Sequence, residues 1–316
     1  MSVCRTLVVE LEEDGVRGYG EAGENPYYGA TFDNMTAALG RVRAEVESRG
    51  LTDPAALWEK LRPQLQENTF AQSALDMAAW DLWGKLHGWP VWRLWGLSLD
   101  DLPPSDYTIG IDALDVMVAK LAEFPGWPVY KIKLGTPDDL DIVRRLREVT
   151  DAAFRVDANC GWTADEAIRN AAALRELGVE YVEQPLGPED RRGMRQVYAR
   201  SVLPVIADES CRGEADVDAC RGLFHGVNVK LVKCGGLTSA RRMLLRAREL
   251  GMKTMIGCMT ESSVGISAVA QLLPLVDYAD LDGALLLARD CAAGVTIDRG
   301  RVVFPEENGC GVRLLD

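Results

Sequence analysis

Ionisable residues recur at nearly constant spacing through the middle of the chain, and each one closes a short apolar run. Their separations are 24, 26, 25, 25, 25 and 24 positions. Acidic members of such a set can bind a divalent cation, and lysines can take up or release a proton beside it. The sequence therefore indicates proton-transfer chemistry at a metal site. The recurring residues are Lys133, Asp157, Glu183, Asp208, Lys233, Cys258 and Asp282.

Three of the acids end consecutive strand-like runs, so we expect Asp157, Glu183 and Asp208 to stand side by side. Carboxylates that lie so close together repel one another unless a cation neutralises them. A site made only of oxygen ligands suits Mg²⁺ better than zinc. Three separate helix caps or surface ion pairs would explain each residue alone, but not their shared position in the repeat. We therefore predict a Mg²⁺ site.

Two lysines precede these acids on a single run, Val-Tyr-Lys-Ile-Lys, which ends at Lys133. Residues two apart on a strand share a face, so Lys131 and Lys133 project the same way, about 7 Å apart. If that face is enclosed, we expect each ammonium group to lower the pKa of the other, leaving one usable as a base. The alternative is a pair of surface lysines.

A third lysine, Lys233, closes a run four repeats after Lys133, which is the opposite wall of an eight-stranded barrel. A carboxylate substrate held on the metal between them would present one face of its α-carbon to each lysine. That arrangement permits racemisation or epimerisation. The metal and Lys131 would stabilise the enediolate formed when the proton leaves.

The elements that carry these residues alternate between strand and helix, with helical stretches such as 137–150, 164–177 and 239–250 between the runs. This repeat is typical of an α/β barrel, whose catalytic residues lie at the carboxyl ends of the strands. A further run at residues 105–111 supplies the first of eight strands. Before it, residues 3–11 and 16–21 read as a hairpin with an Asp-Gly turn.

Helices are predicted near residues 33–49, 54–65 and 70–87, the second with Asp53 as N-cap and proline at its first position. We therefore expect an α/β protein with a (β/α)7β TIM-like barrel and a small α+β capping domain. The predicted divisions are residues 1–104 for the capping domain, 105–290 for the barrel, and 291–316 for a segment that returns to the capping domain.

The composition of the chain limits the classes of molecule that we expect it to bind. The chain has 316 residues, 47% apolar residues and a formal charge of -13, which argues against nucleic acid or an anionic membrane surface. No apolar run reaches membrane-spanning length, and the cysteines form no CxxC pair. We expect a cytoplasmic enzyme that acts on a small-molecule substrate. The sequence leaves open whether this enzyme forms a homo-oligomer.

The strand-end motifs, taken together, resemble the muconate lactonising subgroup of the enolase superfamily. The resemblance implies a capping domain beside a (β/α)7β barrel, Mg²⁺ at Asp157, Glu183 and Asp208, and general bases at Lys133 and Lys233. Lysine bases beside Mg²⁺ are known chemistry of that superfamily. The motifs are Lys131-Ile132-Lys133, Asp157-Ala158-Asn159, Glu183-Gln184-Pro185, Asp208-Glu209-Ser210 and Lys233-Cys234-Gly235-Gly236.

Two later motifs, beginning at Cys258 and at Asp280, resemble the dipeptide epimerases of that subgroup. The resemblance implies that Asp280 and Asp282 hold the terminal ammonium group of the substrate, and that Cys258, Thr260 and Glu261 line the site. Two carboxylates on one strand face also form a cation site on physical grounds. A solvated strand end is the alternative.

Family members usually carry a further strand and a mobile loop ahead of the segment equivalent to residues 3–11, and this sequence starts without them. Either the start is misplaced, or the loop of residues 21–31 closes the site alone. Residues of that loop that we expect near the substrate are Glu24, Asn25, Tyr27 and Tyr28.

The expected reaction is epimerisation of L-Ala-L-Glu, or another small L-Ala-L-Xaa dipeptide, at its C-terminal residue by two-base proton transfer. An N-acylamino acid racemase or o-succinylbenzoate synthase would use the same lysines and metal without the Asp280 and Asp282 pair. A non-catalytic binding protein with the same barrel is an alternative of another class.

Overall fold

The computed structural model describes residues 3, 5–48 and 50–315. Its first part is a hairpin covered by helices, as predicted, and the three long helices begin and end within two residues of the predicted positions. The elements are β1 (Thr6–Glu13), β2 (Val16–Gly23), α1 (Phe32–Glu47), α2 (Pro54–Leu65), α3 (Thr69–His87) and α4 (Val91–Leu94).

The hairpin turns at Asp14 and Gly15, whose φ angles of 52° and 76° match the left-handed turn that Asp-Gly favours between antiparallel strands. Its second strand lies against α3 at backbone contact. A Cβ at Gly20 would stand 2.0 Å from the carbonyl oxygen of Ala74, so only glycine allows this approach. Helix α3 is consequently almost wholly buried and joins the hairpin to the barrel.

The second part of the chain alternates strand and helix. Its strands are β3 (Tyr107–Ile109), β4 (Val129–Lys133), β5 (Ala153–Asp157), β6 (Val179–Glu183), β7 (Val205–Ala207), β8 (Gly226–Val229), β9 (Lys253–Gly257) and β10 (Tyr278–Asp280). Its helices are α5 (Leu114–Glu123), α6 (Asp139–Arg147), α7 (Ala164–Glu176), α8 (Arg191–Arg200), α9 (Glu214–Cys220), α10 (Leu231–Cys234), α11 (Leu237–Glu249) and α12 (Ser263–Ala270).

The eight strands β3 to β10 form one sheet in sequence order, and every neighbouring pair is parallel. A parallel bridge from Ser105 to Ala279 joins the last strand to the segment before the first, which closes the barrel. A helix follows each of the first seven strands, and a short 3-10 helix, Asp282–Leu286, follows the eighth. The predicted (β/α)7β barrel is confirmed.

The last residues form two short pairs, β11 (Ala292–Ala293) with β14 (Arg313–Leu314), and β12 (Thr296–Asp298) with β13 (Arg301–Val303). Beyond the second pair the chain meets α3, where Asp81 accepts a hydrogen bond from Cys310 N at 2.7 Å. Asp81 also accepts from Tyr19 N of β2 at 2.9 Å, so one buried carboxylate ties both segments to α3. Among the described residues, none of the helices combines the length and apolar character needed to span a bilayer.

Candidate active site

Three carboxylates meet at the carboxyl ends of β5, β6 and β7. Asp157 and Glu183 are paired in register as the last residues of their strands, and Asp208 directly follows β7. All three side chains are buried, and a carboxylate oxygen from each lies within 4.8 Å of the others. The structure thus brings together the acids that the spacing singled out.

The donor set of this acidic triad fits an oxygen-preferring divalent cation. Asn228 Nδ2 donates to Glu183 Oε1 at 2.8 Å. The other oxygen of Glu183 lies 2.8 Å from Lys131 Nζ, yet it is buried with no partner in hydrogen-bonding geometry. Burial and the charge of Asp157 raise the pKa of Glu183 to about 7. A bound cation would satisfy that oxygen and favour the ionised carboxylate.

Lys131 lies at the centre of the site, beneath the acidic triad. Its Nζ is 2.8 Å from oxygens of Glu183 and Asp280 and 3.4 Å from Asp157. Burial favours the neutral amine, but the attraction of Asp280, Glu183 and Asp157 outweighs it and raises the pKa of Lys131 well above its usual value. The expected mutual lowering of lysine pKa values is therefore wrong for Lys131, which stays charged.

Lys133, two residues further along β4, is the more accessible lysine of this strand. Its Nζ lies 2.7 Å from Asp157 Oδ2, and its side chain remains 26% exposed. The predicted shared face of Lys131 and Lys133 is found, since both Nζ atoms lie within 3.4 Å of the same oxygen, Asp157 Oδ2. Lys133 is placed to meet a molecule that enters from the open end of the barrel.

Lys233 does not end a strand, contrary to the prediction. Strand β8 stops at Val229, and Lys233 lies inside the short helix α10. Its Nζ donates to the carboxylate and the backbone carbonyl of Asp208 and to Asn228 O, the last two at 2.6 and 3.3 Å. Three acceptors satisfy the three ammonium hydrogens, and the side chain is 1% exposed. Through these hydrogen bonds, Lys233 holds the Asp208 side chain in position.

Lys230, which the sequence reasoning missed, is the residue that directly follows β8. Its Nζ lies 2.8 Å from Asp208 Oδ2. Burial favours its neutral form, but Asp208 outweighs burial and raises the pKa of Lys230. Strands β4 and β8 are four places apart in the sheet, so Lys133 and Lys230 flank the acidic triad from opposite walls. The end of the apolar run Gly226–Val229 could have identified it, but the regular spacing favoured Lys233.

Cys258, Asp280 and Asp282 form a second buried cluster, whose ligand atoms also lie within 4.8 Å of one another. Asp280 ends β10 as predicted, but Asp282 begins the 3-10 helix rather than continuing the strand. Burial would raise the pKa of Asp280, yet Lys131 lowers it to about 2. Burial and Asp280 raise the pKa of Asp282 to about 7. The pair can accept a cation in addition to Lys131.

The loop after β9 carries Thr260 and Glu261. Thr260 is exposed, whereas Glu261 is buried and accepts a hydrogen bond from Met259 N at 3.1 Å. Burial and the nearby Glu21 raise the pKa of Glu261 to about 8. Glu21, on β2, in turn accepts from Ser262 N at 2.9 Å, so Glu261 lies at the junction of capping part and barrel. The positive charge of Lys230 acts in the opposite direction and lowers the pKa of Glu261, and the predicted contact of Glu261 with the substrate stays a prediction.

The loop of residues 24–31 lies over the same end of the barrel. The Tyr28 ring packs on Phe70, with centroids 5.8 Å apart, and Arg212 lies 5.0 Å above it. Tyr27 is 70% exposed, and both tyrosines line a cavity of about 320 Å³. In the same loop, Asn25 Nδ2 approaches Met259 Sδ at 3.7 Å.

Glu24 is placed differently from the other loop residues that we expected near a substrate. Its carboxylate accepts from Phe32 N at the start of α1, at 2.7 Å. Glu24 therefore holds the loop to the capping helix rather than facing the barrel.

Helices α2 and α3 of the capping part hold the segment after β8, which carries Lys230 and Lys233. Trp58 Nε1 donates to Gly235 O at 2.7 Å, and Asp76 accepts from both the backbone N and the hydroxyl of Thr238 at 2.8 Å. Gly236 has a φ of 117°, and a Cβ there would stand 2.5 Å from Asp76 Oδ2. Sequence reasoning did not predict these contacts, because they join residues more than 150 positions apart.

Two family models match the two parts of the chain. Residues 1–96 match the family model described as mandelate racemase / muconate lactonizing enzyme, N-terminal domain. Residues 115–316 match the model described as enolase C-terminal domain-like. An L-Ala-D/L-amino acid epimerase of Flavobacterium johnsoniae is 52% identical, covering 98% of this chain and 92% of that protein.

Two further relatives extend the comparison to other species and to a solved structure. An L-Ala-D/L-Glu epimerase of Bacteroides thetaiotaomicron is 41% identical, covering 96% of this chain and 80% of that protein. A crystal structure of the dipeptide epimerase of Methylococcus capsulatus with a Mg ion superposes with a TM-score of 0.90 at 33% identity, covering 98% and 94% of the two chains. The chain therefore belongs to the enolase superfamily, as an isomerase of its dipeptide epimerase group.

Proposed function

We propose that this protein catalyses the Mg²⁺-dependent epimerisation of a small L-Ala-L-Xaa dipeptide at its C-terminal residue. The observation that carries the proposal is the placement of Lys133 and Lys230 on opposite sides of the acidic triad. One lysine can reach each face of an α-carbon held between them. The relatives named above as epimerases support the same reaction class.

The metal would be held by Asp157, Glu183 and Asp208, the buried triad in which one Glu183 oxygen accepts no hydrogen bond. When bound, Mg²⁺ supplies positive charge that makes the α-proton of a carboxylate more acidic. Lys131 adds a permanent charge beside the substrate carboxylate, because neighbouring acids keep it protonated. This is the electrostatic role that the sequence predicted for Lys131.

Lys133 and Lys230 would exchange protons with the α-carbon. One acts as the free amine that removes the proton, and the other, as the ammonium, returns a proton to the opposite face. Their roles exchange when the substrate has the other configuration. Lys230 replaces Lys233 in our assignment, since all three ammonium hydrogens of Lys233 are bound to Asp208 and Asn228.

Asp280 and Asp282 would bind the substrate's terminal ammonium group. They lie next to Lys131, so a ligand whose carboxylate meets the triad can extend its other end toward them. An ammonium group there gains charge-assisted hydrogen bonds in a buried environment. An N-acylated amino acid has no such group, which favours a dipeptide over the racemase and o-succinylbenzoate synthase alternatives.

The first residue of the substrate is alanine in our proposal, and the second is glutamate or another amino acid. The names of the Flavobacterium and Bacteroides relatives, which specify L-Ala in the first position, support this choice. Tyr27, Tyr28 and Cys258 would line the bound dipeptide. The cavity beside the two tyrosines is also lined by Glu209 and Ser210, which directly follow Asp208, and Asn25 contacts Met259 next to Cys258.

Solvent deuterium exchange into a library of L-Ala-L-Xaa dipeptides tests the proposal. We expect Mg²⁺-dependent incorporation of one deuterium at the C-terminal α-position, measured by mass spectrometry, together with formation of the L,D product. Lys133→Ala should abolish epimerisation. No exchange across the library with Mg²⁺ present would contradict the proposal and favour a non-catalytic barrel.

A further inference from the structure

A buried arginine side chain lies below the site and takes no part in the proposed reaction. Arg155, on β5, is 2% exposed. Its Nη1 donates to Asp106 Oδ2 at 3.0 Å and to Ala279 O at 2.9 Å, and its Nε donates to Glu180 Oε2 at 2.9 Å. The guanidinium thus crosses the barrel interior from the metal-bearing wall to the last strand.

These bonds meet at the seam where the barrel closes. Asp106 N donates to Ala279 O at 3.1 Å, and Ser105 Oγ accepts from Leu281 N at 2.9 Å. Ala279 and Leu281 are the two neighbours of Asp280, so both sides of that residue are fixed. The bridge of Ser105 with Ala279 joins the segment before β3 to β10 at the same place.

Two further contacts of the proposed ammonium site depend on where the backbone places Asp280. Asp280 Oδ2 accepts from Lys131 at 2.8 Å. Asp282, two residues on, accepts from Thr108 N of β3 at 2.6 Å. A shift at the seam would move both carboxylates relative to Lys131, while leaving the triad on β5, β6 and β7 in place.

We propose that Arg155, with Asp106 as its partner, is a positioning residue that fixes the Asp280 and Asp282 pair for the substrate's terminal ammonium group. The inference rests on the proposed function and adds a residue that acts through the backbone of β10. A buried ion pair contributes little net stability, because desolvation offsets its attraction. The directional hydrogen bonds of the Arg155 guanidinium, by contrast, fix the positions of the groups that accept them.

Arg147 provides a matched control, because it is an arginine of the same barrel that also bonds to backbone carbonyls. It donates to Leu177 O, Thr150 O and Ala152 O at 2.8 to 2.9 Å, remote from the site. We expect Arg155→Met to lower the dipeptide kcat/KM by about 10²-fold, the effect that a displacement of roughly 1 Å can have, mainly through a higher KM because the ammonium site is what moves. Arg147→Met should lower Tm and leave KM unchanged.

Arg155→Lys should recover part of the lost affinity, because one ammonium group can still donate to Ala279 O. If Arg155→Met does not fold, Asp106→Asn serves instead, since the amide keeps an acceptor near Arg155 but not its charge. It should raise KM about 10-fold, the lower range for altered supporting residues.

Two outcomes overturn the inference. One is an unchanged dipeptide KM in Arg155→Met and Asp106→Asn. The other is a fall in kcat at least as large as the rise in KM and following the fall in Tm, as a purely structural arginine would give. Either result, with an active wild-type enzyme, leaves the proposed function standing. An inactive wild-type enzyme would instead remove the proposed function itself.

Discussion

Lys230 and Lys233 both contact Asp208, but they bind its two different carboxylate oxygens. Lys230 lies 2.8 Å from Oδ2, whereas Lys233 donates to Oδ1 and to the backbone carbonyl of the same residue. Only Lys230 directly follows its strand, where a side chain can turn into the barrel. Two lysines three positions apart therefore have different proposed tasks, one at the substrate and one behind a metal ligand.

The first prediction separates these two lysines. Lys230→Met should stop net epimerisation, but Lys133 should still exchange the α-proton of one dipeptide configuration with solvent. Lys133→Met should show exchange of the other configuration only. Each missing base should reduce its own half-reaction by about 10²- to 10⁴-fold. Mass spectrometry of the L,L and L,D dipeptides in D₂O measures both.

Lys233→Met is the comparison for this pair. Removing one partner of a buried ion pair costs about 3 to 5 kcal/mol, so we expect a large drop in Tm. Any remaining folded enzyme should exchange both configurations at similar relative rates. Loss of exchange for a single configuration in Lys233→Met, with normal exchange in Lys230→Met, would restore Lys233 as the base.

The second prediction concerns Asp282. Asp282→Asn keeps an oxygen that can accept from Thr108 N, but it removes the negative charge beside Asp280. We expect the dipeptide KM to rise about 10- to 100-fold, because a charge-assisted bond to the ammonium group is lost. Kinetics identical to wild type would favour an N-acylated substrate, and assays with N-acetylated dipeptides should then show turnover.

The third prediction concerns the metal. Mg²⁺ at about 100 times its Kd should stabilise the wild-type protein by about 2.7 kcal/mol, seen as a rise in Tm that EDTA reverses. Glu183→Gln should lose most of this rise, since an amide replaces a buried anionic ligand. Glu176→Gln, on the exposed end of α7, makes the same charge change away from the site and should keep it. An equal rise in both variants would place the metal elsewhere.

The fourth prediction is a pH dependence of stability. Burial raises the pKa of Asp76 to about 7 from an ordinary value of 3.8. The folded protein therefore keeps this proton up to about pH 7, while the unfolded chain releases it near pH 4. The contribution of Asp76 to stability falls as the pH rises between these values and is constant above them.

Asp76→Asn removes that titration. Relative to wild type, its free energy of unfolding should improve between pH 5 and pH 8, by at most about 3 kcal/mol. Urea unfolding at both pH values measures the difference, and Asp115→Asn, an exposed aspartate on α5, should show none. The same difference for both variants would mean that Asp76 ionises normally.

The sequence predicted the barrel and the acidic triad because both follow from a local, repeated pattern. Each strand-helix unit places one residue at a strand end, and parallel strands bring those ends to one face. The predicted register of Asp157 beside Glu183 was accordingly correct. The same pattern failed at Lys233, since a regular interval does not show where a strand stops and a short helix begins.

The amino-acid sequence by itself determined the fold, the family and the three acids, because these depend on hydrophobic period and on motifs that lie within one repeat. Tertiary structure decided which lysine reaches the site, how Asp76 and Trp58 hold its loop, and how Arg155 braces Asp280. These contacts join residues far apart in the chain. Their energies depend on burial and on distances of a few ångströms, which no spacing along the sequence records.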